Sequence, residues 1–167
     1  MPVVTMIGGG QLARMTHQAA IALGQTLRVL AGSPDEPAAQ VSPNVVFGSH
    51  NDLDALREAA TGAHALTFDH EGVPTEHLEV LQREGVAVLP PPQALIYAQD
   101  KTAMRKRLGE LGAPMPKFAE ITSVEDARAA LGTLGDPYVL KAARGGYDGR
   151  GVWILEDHAE LERVVTE

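Results

Sequence analysis

Cysteine is absent from the 167 residues, which excludes disulfides and thiolate chemistry and fits a reducing cytosol. Long apolar runs are lacking too. No stretch approaches the roughly 20 continuous apolar residues that span a bilayer, and the first ten residues are neither basic enough nor long enough for a signal peptide. Cytoplasm is the expected location, with no membrane surface involved. Positive charge is in short supply: 14 Lys and Arg face 22 Asp and Glu, a net charge of -8. Duplex binding rests on clustered cations that neutralise phosphates, so nucleic acid is not the expected partner. Internal repeats and low-complexity tracts are also missing. What is present, 44% apolar and 22% charged residues, suffices for a real core, and the length fits one domain with part of a second.

The first half alternates between strand and helix patterns. "VVTMI" at 3–7 is a short β-branched run, followed by glycines and then by "QLARMTHQAAIALG", in which Leu12, Met15, Ala19 and Leu23 recur on one helical face. Further strands are expected at "LRVLA" (27–31), "NVVFG" (44–48), "ALTFD" (65–69) and "VAVLP" (86–90), with helices near 52–60 and 75–84. Strands alternating with helices imply an α/β fold with a doubly wound parallel sheet.

Past "PPP" at 90–92 the rhythm changes. One helix is expected over 93–111, then an extended "KFAEI" at 117–121, and then a helix from Ser123, with Ser123 and Asp126 as a loose capping box. The basic run "KTAMRKR" at 101–107 reads as a solvated helix face, with a role toward phosphate as the rival. The strands "YVLKAA" and "VWIL" enclose a loop rich in glycine and form a hairpin, and a last helix starts near Glu156 or Asp157.

Two segments carry chemistry. "GGGQLA" at 8–13 matches G-x-G-x-x-A between a strand and a helix, where glycines let the backbone approach an anion and the helix offers unpaired N–H groups. A ligand-free βα turn is the bland alternative. A nicotinamide dinucleotide site would want an acid at the end of the second strand, where Ala31, Gly32 and Ser33 stand instead. That leaves a simpler phosphate ester in view. The second segment is "LKAARGGYDGRG" at 140–151, with Lys141 at a strand end and Gly145, Gly146, Gly149 and Gly151 behind it. A point charge and backbone donors together suit a nucleotide's phosphates, and the order is not that of a Walker A loop.

With "TFDHEGVP" at 67–74 and "QDK" at 99–101, these two segments resemble the 5-(carboxyamino)imidazole ribonucleotide synthetase family, ATP-grasp ligases of purine biosynthesis. The four motifs stand in the family's order, and the last is the most specific. The resemblance covers the whole chain but only the front part of the family's length. It implies a pre-ATP-grasp domain over 1–92, then a linker helix and the beginning of the small ATP-grasp lobe over 93–167. It also implies ATP-dependent carboxylation of 5-aminoimidazole ribonucleotide by bicarbonate, which is activated as carboxyphosphate, with ATP and Mg2+ as cofactors and a homodimeric intact enzyme. Another ATP-grasp purine ligase, the formate-dependent glycinamide ribonucleotide transformylase, shares the general layout.

Residue by residue, the resemblance puts Lys101 and Lys141 on ATP phosphates. Gly146, Tyr147, Asp148, Gly149, Arg150, Gly151 and Val152 fall in the loop that covers the nucleotide. Tyr147, Asp148 and Arg150 face the ribonucleotide, Asp148 and Arg150 as the catalytic pair. Gly10, Gln11 and Leu12 match the turn that holds its 5′-phosphate, and Glu71 matches a partner for its ribose hydroxyls. Asp69, His70 and Gly72 depart from the family's Glu, Phe and Asn. Each pick has a duller rival: Asp148 as a loop-fixing aspartate, Lys141 as a surface charge, Glu71 as a complement to a helix dipole. His17, His50, His64, His70, His77 and His158 show no pair at metal-ligand spacing on one helix face and read as structural or surface residues. The magnesium carboxylates of the family come from a second lobe, after the glycine loop, so a chain of this length is expected to be inactive alone. A nicotinamide-binding domain and a noncatalytic interaction module are the competing classes.

Overall fold

Val3–Ile7 forms strand β1, a β-branched run that hydrogen-bonds along both edges and buries both faces. In the computed structural model, which describes residues 1–134, 138–146, 149–155 and 158–166, it lies inside a four-stranded parallel sheet of order β3-β2-β1-β4. Helix α1 (Gln11–Ala22) connects it to β2 (Thr26–Ala31), which pairs with β3 (Val45–Phe47). Helix α2 (Leu53–Ala60) then leads back to β4 (Ala65–Phe68), and α3 (Thr75–Arg83) follows. The doubly wound α/β arrangement is therefore present.

Parallel strands covered on both faces send alternate side chains into two cores. Ile7, Leu30 and Leu66 join Leu56, Val73, Leu78 and Leu81 in one cluster; Met6, Leu27, Val29 and Ala31 join Ala13, Ala20 and Ala38 in the other. The second core is narrow because its helix face is small. The stripe that α1 buries is Ala13, His17 and Ala20, whereas Leu12, Met15 and Leu23, on the face marked by hydrophobic recurrence, are 60%, 54% and 74% exposed. Close packing of a helix on a sheet selects for lack of volume, and side-chain hydropathy misses that.

Two further sequence expectations change in the structure. "VAVLP" does not extend the sheet as a strand: it makes one parallel bridge, Leu66 with Val88, through the Leu66 amide to the Ala87 carbonyl and the Leu89 amide to the Leu66 carbonyl, both 2.9 Å. Prolines 90–92 then offer no N–H to continue a ladder. The single helix expected over 93–111 is two, α4 (Pro92–Gln99) and α5 (Lys101–Glu110). Asp100 separates them with extended backbone and caps α5 by accepting from the amides of Thr102 and Ala103.

The chain divides into units Met1–Ile96 and Tyr97–Glu167. The division falls inside α4, past the prolines, because Leu95 is buried in the first unit's core. In the second unit, α6 (Val124–Leu134) precedes the antiparallel hairpin of β5 (Tyr138–Lys141) and β6 (Val152–Leu155), and α7 (His158–Thr166) closes it. Ala127, Leu131, Leu155 and Leu161 form its core. "KFAEI" joins no strand; it is held by the Lys106–Glu120 ion pair (2.6 Å) and by Arg105 over the Phe118 ring. The α6 cap reaches further back than a capping box: Ser123 Oγ accepts from the Asp126 amide, while Asp126 Oδ2 accepts from the Thr122 amide and hydroxyl. No helix among the described residues is long and apolar enough to cross a membrane.

Ala13→Leu should cost about 1–3 kcal/mol by overpacking the narrow core, whereas Leu12→Ala should stay within about 0.5 kcal/mol, as exposed positions do. Urea unfolding of both variants checks this, and a larger loss from Leu12→Ala would contradict the assigned face.

Candidate functional site

With β4 on the opposite side of β1 from β2 and β3, the connections reverse direction between β1 and β4. In open α/β sheets the crevice at such a switch point, outside the carboxyl ends of the strands, is where ligands bind. A cleft of about 740 Å3 lies there, lined from the loops after all four strands: Gly8–Leu12 after β1, Gly32 and Glu36 after β2, Gly48 to His50 after β3, Asp69 and His70 after β4. Its volume is that of a small-molecule site.

Two carboxylates shape the glycine turn. Asp69 Oδ2 accepts from the Ala13 amide at 3.1 Å, neutralising one of the orphan donors of α1 from across the switch point. Gly8 has φ +127°, and a β-carbon there would fall on the Asp69 carboxylate, so this position needs glycine on two counts. Glu36 accepts from the Gly32 amide (3.1 Å) and fills the space where a β-carbon of Gly9 would lie.

Gly10 differs from both. A β-carbon there meets nothing within 4 Å, and Gly10 caps α1 without a side chain. The Gln11 and Leu12 amides have no acceptor among the described residues. The predicted trio Gly10, Gln11 and Leu12 thus lines the cleft with open donors. Glu71 is exposed and does not line it. Asp69, flagged in the sequence only as a departure, lines the cleft and holds the Ala13 amide.

His50 and His70 also meet here, their rings edge to face at 4.8 Å. His70 Nδ1 accepts from the Gly72 amide. Burial, then the neighbouring His70, hold the His50 imidazole below its ordinary value, partly offset by Glu36. Among the described residues no group of three or more His, Asp or Glu is placed to hold a metal ion.

The second unit has its own cleft, of about 840 Å3, and Lys101 and Lys141 both line it. Arg105 and Lys117 add charge; Leu140, Phe118 and Trp153 add apolar and aromatic wall. Lys101 and Arg105 are four residues apart and share a helix face. The basic run therefore has one face in this cleft, while Lys106 pairs with Glu120 of the cleft wall and Arg107 pairs with Glu110. That spacing was readable in the sequence; the contributions of Lys117 and Trp153 were not. The Lys101 ammonium donates to the Gly146 carbonyl at 3.3 Å. Gly149 and Arg150 turn the loop back, Gly151 closes onto Ala142 through the Ala142 amide (2.8 Å), and Val152 opens β6. Tyr147 and Asp148 lie outside the described residues.

Residues 1–99 match the family described as ribonucleotide synthetase preATP-grasp domain, and residues 106–167 match the ATP-grasp domain. The chain is 60% identical, over 99% of its length, to N5-carboxyaminoimidazole ribonucleotide synthase of Mycobacterium leprae, and 53% identical over its full length to that of Corynebacterium ammoniagenes. It spans 39% and 40% of those two proteins. Among solved structures, it is similar to N5-carboxyaminoimidazole synthetase of Staphylococcus aureus complexed with ADP (TM-score 0.90, 27% identity, 99% of this chain and 44% of that one). It is also similar to the synthase of Aspergillus clavatus in complex with ADP and 5-aminoimidazole ribonucleotide (TM-score 0.87, 28% identity, 99% and 43%).

The His50 environment has a pH consequence. The unfolded imidazole titrates near 6.5 and the folded one lower, so in acid the unfolded state takes up a proton that the folded state resists, and stability falls as pH drops through 6.5. His50→Gln should flatten that part of the dependence between about pH 7 and pH 5. Denaturant midpoints across this range measure it, and an unchanged slope would contradict the assignment.

Proposed function

Since the chain belongs to the ribonucleotide synthetase preATP-grasp family through residues 1–99, we propose that its two units serve the ATP-dependent carboxylation of 5-aminoimidazole ribonucleotide by bicarbonate in purine biosynthesis. The chain spans about two fifths of the length of the curated relatives it matches, and the activity proposed is that of the whole enzyme. The observation that carries the proposal is the convergence of Lys101 and Lys141, forty residues apart, on one cleft beside a glycine loop.

In the first unit, the Gln11 and Leu12 amides receive the ribonucleotide's phosphate at the positive end of α1. Asp69 and Glu36 stand beside them as acceptors, which suits a ligand that brings an anion and hydroxyl or amine donors together. Glu71, exposed and outside the cleft lining, stays the candidate for the ribose hydroxyls on the resemblance alone. In the second unit, four cations and an aromatic wall fit a nucleoside triphosphate: Lys101 and Lys141 hold its phosphates, and Gly146, Gly149, Gly151 and Val152 cover it. When bound, ATP supplies the phosphoryl group that makes a bicarbonate oxygen a leaving group. The substrate amine then forms the new N–C bond and loses a proton, and we assign Asp148 and Arg150, with Tyr147, to orient that amine and hold the charge. No group of three or more His, Asp or Glu among the described residues is placed to hold a magnesium ion. Cytoplasmic location and a homodimeric whole enzyme complete the proposal.

Calorimetric titration of the chain with ADP and, separately, with 5-aminoimidazole ribonucleotide tests this. Gly10→Val places a side chain over the open amides where no protein atom is met, so it should weaken the ribonucleotide by about tenfold or more while leaving ADP within about twofold. Lys141→Met should do the reverse. Equal loss of both ligands in either folded variant, or no binding by the unaltered chain, would sink the proposal.

A further inference from the structure

Residues 100 and 101 grip the glycine loop of the second unit at three points. The Lys101 amide donates to the Ala143 carbonyl (2.9 Å), Arg144 Nε donates to Asp100 Oδ2 (2.9 Å), and Lys101 Nζ donates to the Gly146 carbonyl (3.3 Å). Asp100 divides its oxygens between two tasks: Oδ1 accepts from the Thr102 and Ala103 amides, both 2.9 Å, and Oδ2 takes Arg144. We propose that Asp100 and Arg144 are positioning residues, a clasp that fastens the glycine loop to the first turn of α5 and thereby sets Lys101 for a nucleotide's phosphates. This rests on the nucleotide assignment of the loop made above.

Three features carry it. The Asp100 side chain is 18% exposed, against 60% for Arg144, so the acceptor is fixed by its helix and the arginine comes to it. Gly146 is built for close approach: a β-carbon there would fall 2.8 Å from the Arg150 carbonyl and 3.3 Å from Lys101 Nζ. The loop is therefore folded back on itself with the ammonium against it. A donor at 3.3 Å is at the long end for a hydrogen bond, and an ammonium has three donors, so Lys101 can keep the carbonyl while reaching a phosphate oxygen. The glycines at 145 and 146 leave the loop little stiffness of its own, and the Arg144 tether supplies what they lack.

A rival role for Arg144 is direct contact with phosphate, and the two roles predict opposite results. Asp100→Asn keeps an acceptor for the α5 amides, since Asn caps helices as well as Asp, but removes the charge that holds Arg144. A clasp predicts that Asp100→Asn and Arg144→Met each weaken ADP binding by about fivefold, the scale of one largely exposed ion pair, that the double variant is no weaker than either single, and that Arg144→Lys restores part of the loss. Adenosine, which lacks phosphates, should bind all forms alike. Direct phosphate contact predicts that Asp100→Asn binds ADP as well as or better than the unaltered chain, and that result overturns the proposal. Hydrogen exchange without any ligand provides an arm independent of the nucleotide assignment: both single variants should speed exchange at the amides of 143–146 by about fivefold and leave β5 and β6 unchanged. Unchanged exchange, additive losses in the double variant, or faster exchange with unaltered ADP affinity each overturn it. A chain that binds no ADP at all would refute the nucleotide assignment, while the exchange arm would still decide whether the clasp exists.

Discussion

β1 hydrogen-bonds to β2 through Val3–Ile7 on one edge and to β4 from Val4 to Ile7 on the other, and its side chains alternate between two buried cores. Such a strand can offer chemistry only at its ends. The carboxyl end must release the chain into α1 within three residues, between neighbours whose own carboxyl ends lie alongside, because parallel pairing aligns all four. The glycine turn follows from that crowding. Gly8 faces Asp69, Gly9 faces Glu36, and only Gly10 faces open space. The first cleft is thus a by-product of parallel pairing, and its two carboxylates and two open amides are what the crowded ends leave exposed.

The second unit solves a different problem. A two-stranded hairpin is marginal by itself, and this one is buttressed by α6 and α7 through Leu131, Leu155 and Leu161. The described tethers to its glycine loop include polar ones: the Ala142 amide to Gly151, and the three contacts from Asp100 and Lys101.

Much of this was readable from the sequence. Apolar β-branched runs and helical patterns located the strands of the first unit and the hairpin of the second, because buried parallel strands and glycine loops leave strong marks. What failed depended on volume or on distant contacts. The apolar stripe of α1 pointed to Leu12 and Met15, but close packing chose Ala13 and Ala20. "VAVLP" had strand composition but too few free amides past Leu89 to use it. The helix over 93–111 broke at Asp100, whose capping role was visible in its residue type, although its pairing with Arg144, forty-four positions on, was not. In the first cleft, Gly10, Gln11 and Leu12 were legible from the turn motif, whereas Asp69 became legible only once β4 was placed beside β1.

The central proposal is that the two units hold two different ligands, a ribonucleotide at the switch point of the first and a nucleotide at the loop of the second. Amide chemical-shift mapping of the chain with each ligand alone tests it most directly. The account predicts that 5-aminoimidazole ribonucleotide shifts the Gly10, Gln11 and Leu12 amides and leaves Ala142 to Gly146 unmoved, while ADP does the opposite. Both ligands shifting one and the same set of amides would contradict it.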